Sequence, residues 1–102
     1  MNKYIDISTA AGAATSVRAT GVASVYVDQT VSPDAPLIIM YRNGSKYTIT
    51  ATATAGDDSF TNADADILGK AIVNTASTYW REVSSKFDAQ LSQPIATTAF
   101  TF

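Results

Sequence analysis

The pair Asn43-Gly44 lies between two runs that suit only an extended chain, and it restricts the architecture more than any other feature of the sequence. On its N-terminal side, Leu37 to Arg42 is largely apolar; on its C-terminal side, Lys46 to Ala55 alternates. Side chains alternate across a strand with a period of two, so Tyr47, Ile49, Ala51, Ala53 and Ala55 share one face and Thr48, Thr50, Thr52 and Thr54 share the other. Asn-Gly readily takes the positive φ values of a type I′ turn, whose twist matches that of the flanking strands. The pattern predicts a β-hairpin closed by a type I′ turn, with its threonine face turned to water or to a partner.

Other strands follow from the same reasoning. Ile5 and Ile7 alternate with Tyr4, Asp6 and Ser8, as in a half-buried strand. The small residues from Thr9 to Ser16 offer no anchor for either regular element and read as a loop around Gly12. From Val17 to Val31, the β-branched residues Val22, Val25, Val27 and Val31 around Tyr26 favour a strand, with Gly21 as a bulge or bend. Pro33, Asp34 and Pro36 then enforce a turn, because proline fixes φ and lacks the amide donor a ladder would use.

Thr61 followed three residues later by Asp64 has the form of a capping box and places a helix start near Asn62. Leu68, Ile72, Ala76, Tyr79, Val83 and Phe87 step by three or four residues and trace one stripe on a long amphipathic helix, widened by Ile67, Ala71, Thr75 and Trp80. Leu68 and Trp80 are expected to be buried against a sheet, with Tyr79 and Trp80 filling core. Asp64 and Asp66 near the helix start, and Arg81 and Lys86 near its end, would complement the helix dipole. Gly69 weakens such a helix by about 1 kcal/mol relative to alanine. Leu91 to Pro94 ends the helical segment, and Ile95 to Phe102 returns to strand-forming residues with Phe100 and Phe102 on one face. The expected fold is therefore α+β and a single domain over residues 1–102. Its core would be a mainly antiparallel sheet, or a small barrel, with one long amphipathic helix after the central hairpin.

Charge and composition narrow the function. Seven bases, Lys3, Arg18, Arg42, Lys46, Lys70, Arg81 and Lys86, stand singly along a chain with nine acids and a net charge of -2. No basic tract grips phosphates, which argues against nucleic-acid binding. With no histidine and no cysteine, Ser-His catalysis, imidazole or thiolate metal ligation and thiol nucleophiles are excluded. Asp57, Asp58, Asp64 and Asp66 lack the ligand spacing of an EF-hand loop and read instead as acids favouring a helix start. Asn43-Gly44-Ser45 fits the N-glycosylation pattern, but Lys3 interrupts any signal-peptide core, and turn geometry accounts for the same residues. The longest apolar run, Pro36 to Tyr41, is far shorter than the ~20 residues that span a bilayer. No catalytic residue, cofactor or metal site is expected, and no membrane association; the expected location is the cytoplasm or a virion.

The stretch Leu37-Ile38-Ile39-Met40-Tyr41-Arg42-Asn43-Gly44-Ser45-Lys46-Tyr47-Thr48-Ile49 resembles the central strand-turn-strand of Sm-like RNA-binding proteins. That resemblance covers about one-eighth of the chain, and it implies an Sm-like barrel with Tyr41, Arg42, Lys46 and Tyr47 as the residues that would contact RNA. The layout of an N-terminal KYIDI strand, the hairpin and a following helix is similar to small proteins of marine bacteriophages, which implies a virion-associated assembly. Charge content of only 16%, against about 25% in typical soluble domains, and two uncharged segments, Thr48 to Ala55 and Ile95 to Phe102, point to a self-assembling interaction module. Such segments pair either between copies, giving a homo-oligomer, or with each other inside one barrel.

Overall fold

The computed structural model describes residues 2–8, 14–31, 34–51, 59–77, 82–87, 91 and 95–101, to which the following statements refer. In chain order these form β1 (Asn2–Ser8), β2 (Ala14–Arg18), β3 (Val22–Val27), β4 (Leu37–Tyr41), β5 (Lys46–Ala51), α1 (Asn62–Ala76), β6 (Glu82–Lys86) and β7 (Ile95–Thr101). They build an α+β structure with two sheets, one ordered β2-β1-β6 and the other β3-β4-β5-β7. All neighbours pair antiparallel except β1 and β6, which run parallel. The sheets do not close into a barrel: β3 and β7 are opposite edges of the larger sheet.

The central hairpin forms, but its turn differs from the one expected. Tyr41 and Ser45 face each other, with the Tyr41 amide donating to the Ser45 carbonyl (2.9 Å) and the Gly44 amide donating to the Tyr41 carbonyl (3.0 Å). The loop is thus Arg42-Asn43-Gly44, and Gly44 (φ +89°) takes a positive φ whereas Asn43 does not. A type I′ turn needs positive φ at both central residues; one left-handed glycine closing a three-residue loop gives the same reversal with the strands offset by a bulge. Asn43 contributes through its side chain instead, its Oδ1 accepting from the Ser45 amide (3.0 Å) and hydroxyl. That pairing satisfies Ser45, which is 1% exposed.

On β5 the alternation read from the sequence puts Ile49 and Ala51 in the core, as expected. Leu37, Ile39 and Tyr41 on β4, with Ile49 and Ala51 on β5, join one buried cluster that also takes in Ile5, Ile7 and Val17 of the smaller sheet and Leu68 and Ile72 of the helix. Thr48 and Thr50, on the other face of β5, are half-buried; Thr52 and Thr54 lie outside the described residues. Among the expected edges, β5 proves to be internal, because β7 pairs along it from Lys46↔Thr101 to Ala51↔Ile95.

Two strand boundaries move for local reasons. β2 begins at Ala14 within the expected loop, since pairing with β1 from Tyr4↔Arg18 to Ser8↔Ala14 gives its backbone partners that small residues do not obstruct. The extended run from residue 17 divides into β2 and β3 at Gly21, whose φ of +76° only glycine adopts freely and which turns the chain from one sheet into the other.

The helix starts as expected. Thr61 and Asp64 form a capping box, with the Asp64 amide donating to the Thr61 hydroxyl (3.3 Å) and the Thr61 amide donating to the Asp64 carboxylate (2.8 Å). It ends earlier than the stripe suggested, at Ala76 and not near Phe87. Val83 belongs to β6, and Phe87 follows that strand, buried, its amide donating to the Asp6 carbonyl (2.9 Å). A spacing of four is common to the helical period of 3.6 and to twice the strand period, so Val83 and Phe87 satisfy both patterns. The parallel pairing with β1, from Asn2↔Glu82 to Asp6↔Lys86, supplies the backbone bonds that decide for the strand. Lys86 therefore lies in β6 and not on the last helical turn, and Arg81 lies outside the described residues; Lys3 serves the helix end, its Nζ donating to the Ala76 carbonyl at 2.7 Å. Leu68 is buried as expected, at 1% exposure, while Tyr79 and Trp80 lie outside the described residues. No described helix is long and apolar enough to cross a membrane.

Candidate functional site

Tyr41, Arg42, Lys46 and Tyr47 are neighbours in sequence, but alternation and packing separate them. Tyr41 is 2% exposed. Its hydroxyl donates to the Arg18 carbonyl, and its ring lies under the Arg18 guanidinium, 4.7 Å from centroid to Cζ. Burial, reinforced by Tyr47 and opposed by Arg18, pushes the Tyr41 hydroxyl well above the ordinary phenol range. Tyr47 stands edge-on to Tyr41 with centroids 6.0 Å apart and tilts against Phe100 at 4.8 Å. These rings form a cross-strand row, Arg18–Tyr41–Tyr47–Phe100, of the kind that stabilises sheets. Arg42 is exposed in the hairpin loop, and Lys46 lies on the opposite face of β5 from Tyr47. The four residues therefore do not converge on one surface.

The acids read as a helix start also separate. Asp64 is 2% exposed and committed to the capping box, whereas Asp66 is exposed; Asp57 and Asp58 lie outside the described residues. Among the described residues, no three acidic groups gather in a way that would hold a metal ion.

The structure does bring together the open edge of β3 and one face of α1. Between them runs a groove of about 540 Å³ whose floor and walls include Val22 and Val25 from the strand and Gly69 and Val73 from the helix. Small residues make it: Ala19, Ala23, Ala65 and Ala76 also line it, and Gly69 brings the helix so near that an added Cβ would stand 3.9 Å from that of Val25. Val73, on the wall, is 63% exposed, the most exposed of the large apolar side chains among the described residues. Arg42, Lys70 and Asp66 are the charged residues of the lining, and all three are exposed.

Direction can be assigned along this groove. The Ala19 amide, just before β3, donates to the Lys3 carbonyl (2.8 Å), and Lys3 reaches Ala76 at the helix end. At the other end the Phe60 amide, just before the helix, donates to the Ala35 carbonyl (3.0 Å), close to where Asp28 bonds Pro36. Hence α1 runs antiparallel to β3. Arg42, whose amide donates to the Gly21 carbonyl (2.9 Å), marks the Gly21 end; Lys70 adjoins the middle, beside Gly69; Asp66, one helical turn back, lies toward Val27.

The backbone of β3 is half used. Asp28 and Gly21 bond toward β4, and the ladder alternates on either side of a bulge between Val22 and Ser24. Alternation turns the N–H and C=O groups of Val22, Val25 and Val27 away from β4, to the open edge. Sequence reasoning read Gly69 as a weakness of the helix alone; the cluster of Gly and Ala on both sides was the available sign of a close approach between strand and helix. No protein-family model, no curated protein and no solved structure matches this chain.

Proposed function

We propose that this chain is a non-enzymatic interaction module that self-associates by pairing the edge strand β7 with its counterpart in a second copy. The observation that carries this reading is the sheet order: β7 forms the edge of a four-stranded sheet, and its sequence Ile95–Thr101 contains no charge. Natural monomers blunt such edges with charges, proline or bulges, because an unpaired row of amides and carbonyls is a template for another strand; the register shift of β7 lies at its Ile95 end, and Thr97 to Thr101 pairs with β5 without a break. Two β7 strands meeting antiparallel about a two-fold axis would give one continuous eight-stranded sheet, and Phe100, 42% exposed beside Tyr47, would add apolar contact there. A two-fold dimer is the commonest closed assembly and leaves no β7 edge free.

Sedimentation velocity at micromolar concentration tests the reading. The parent chain is expected to sediment as a dimer, and a variant carrying Ala99→Lys and Thr101→Lys, both at exposed positions, as a monomer with unchanged circular dichroism. A monomeric parent would overturn the proposal, as would salt-sensitive submicromolar binding of a mixed-sequence single-stranded RNA by a chain that does not self-associate.

A further inference from the structure

We infer that the groove between β3 and α1 binds an extended segment of a partner polypeptide, which adds to β3 as an antiparallel strand with its acidic end beside Arg42. The inference shares with the self-association reading the premise of open strand edges, but it concerns the other edge of the sheet and a different occupant.

Three observations select this occupant. The first is the backbone of β3, whose Val22, Val25 and Val27 amides and carbonyls face outward; main-chain groups in a row recognise another main chain, and strand addition to a sheet edge is a general mode of peptide recognition. The second is the wall. Gly69 of α1 lies within van der Waals reach of the Val25 side chain, so the helix packs over β3 and offers an apolar surface to one face of a segment paired with its edge. A second copy's β7, which has no charged residue to meet Arg42 or Asp66, is the poorer fit. The third is charge. Arg42 stands at the Gly21 end and Asp66 toward the Val27 end, so the groove has a basic and an acidic pole. A strand antiparallel to β3 begins near Asp66 and finishes near Arg42, which matches a basic residue early and a carboxylate late in the segment. Between them, Val73 and Val25 offer apolar contact to alternate side chains, and the alanines and Gly69 leave room only for small or β-branched ones.

The probe is a fluorescein-labelled synthetic heptapeptide, Lys-Thr-Val-Thr-Val-Thr-Asp, titrated with the full chain by fluorescence anisotropy. Three comparisons are made: the same peptide N-methylated at alternate residues, the peptide with its terminal charges exchanged, and the Arg42→Glu variant of the protein. Saturable binding is expected, lost on N-methylation and weakened about three- to tenfold at low salt by either charge exchange, as an exposed ion pair allows. In ¹⁵N spectra the perturbed amides should fall in β3 and in residues 66–76. N-methylation leaves the protein untouched, so its effect does not depend on any variant folding.

Absence of saturation at millimolar protein would overturn the inference, as would indifference to N-methylation or perturbation confined elsewhere. Perturbation of the groove on concentrating the protein alone, with no peptide, would assign it to a second copy and overturn it equally. The Ala99→Lys, Thr101→Lys variant separates the two readings: it should still bind the peptide as a monomer. Should the parent prove monomeric and yet bind the peptide, only the self-association reading fails.

Discussion

The larger sheet ends in two strands of similar composition and different surroundings. β3 (VASVYV) and β7 (IATTAFT) both lack charge and both shift register once against their neighbour, yet β3 runs beside α1 and borders a groove with charged residues at both ends, while β7 has no described element beside its outer edge. Edge composition states only that a strand is willing to pair. What stands next to the edge distinguishes the partners proposed: the groove beside β3 carries Arg42, Lys70 and Asp66 to meet a charged segment, and β7 offers only uncharged residues to another strand.

If the wall makes the difference, removing its anchor should be the most damaging change. Leu68 is 1% exposed and joins the helix to the core shared by both sheets. Leu68→Ala is expected to cost about 2–5 kcal/mol, the range for truncating a buried leucine, measured by urea denaturation. A loss below about 1 kcal/mol would mean that the wall is held by something other than this face of α1.

The far end of the wall is tied by a charge from the other sheet. Lys3, 6% exposed, donates to the Ala76 carbonyl, one of the groups a helix end leaves without a partner. Lys3→Met keeps the apolar stem but removes the donor, and should cost about 1–3 kcal/mol given the worth of a hydrogen bond to a charged group. Hydrogen exchange is the sharper readout: amides in residues 72–76 should exchange faster while those of β4 do not change. Uniform acceleration across the chain would show that Lys3 supports the whole fold and not the helix end.

Gly21 marks where the chain leaves the smaller sheet to become the walled edge. With φ at +76° and nothing within 4 Å of an added Cβ, Gly21→Ala meets conformational strain without steric clash, and should destabilise by about 1 kcal/mol. A stability equal to the parent's in thermal denaturation would mean that the chain can switch sheets without a left-handed residue.

What could be read beforehand follows the range of the physics involved. The capping box of Thr61 and Asp64 and the reversal at Asn43-Gly44 rest on groups a few residues apart, and both formed, although the turn satisfied Asn43 through its side chain. The shared face of Tyr47, Ile49 and Ala51 rests on period two and also held. The extent of the helix did not, because Val83 and Phe87 fit helix and strand alike until pairing with β1, some eighty residues earlier, is known. Tyr41 carried the composition of a base-stacking residue, but its burial under Arg18 depends on β2 reaching the end of β4, which no local pattern shows. The groove was least legible of all, since it exists only where two distant runs of small residues meet.

Gly69 gives the finest test of how the two edges differ. A glycine inside a helix costs roughly 0.5–1 kcal/mol relative to alanine through backbone entropy, and its φ lies outside the left-handed region. An alanine Cβ there would find Val25 at 3.9 Å, an ordinary van der Waals contact. Gly69→Ala should therefore stabilise the chain by about 0.5–1 kcal/mol, the reverse of Gly21→Ala, and it should do so without altering sedimentation, because β7 lies at the other edge of the sheet. The same methyl occupies the groove, so a gain in stability should come with weaker peptide binding in the anisotropy titration. A chain at its stability optimum would carry alanine at this position; glycine there keeps a space open at a small energetic expense, a trade commonly found where function needs room. Should Gly69→Ala destabilise the chain, the helix lies closer to β3 than the 3.9 Å approach implies and the groove is not open to a strand. Should it stabilise without affecting peptide binding, the peptide lies elsewhere.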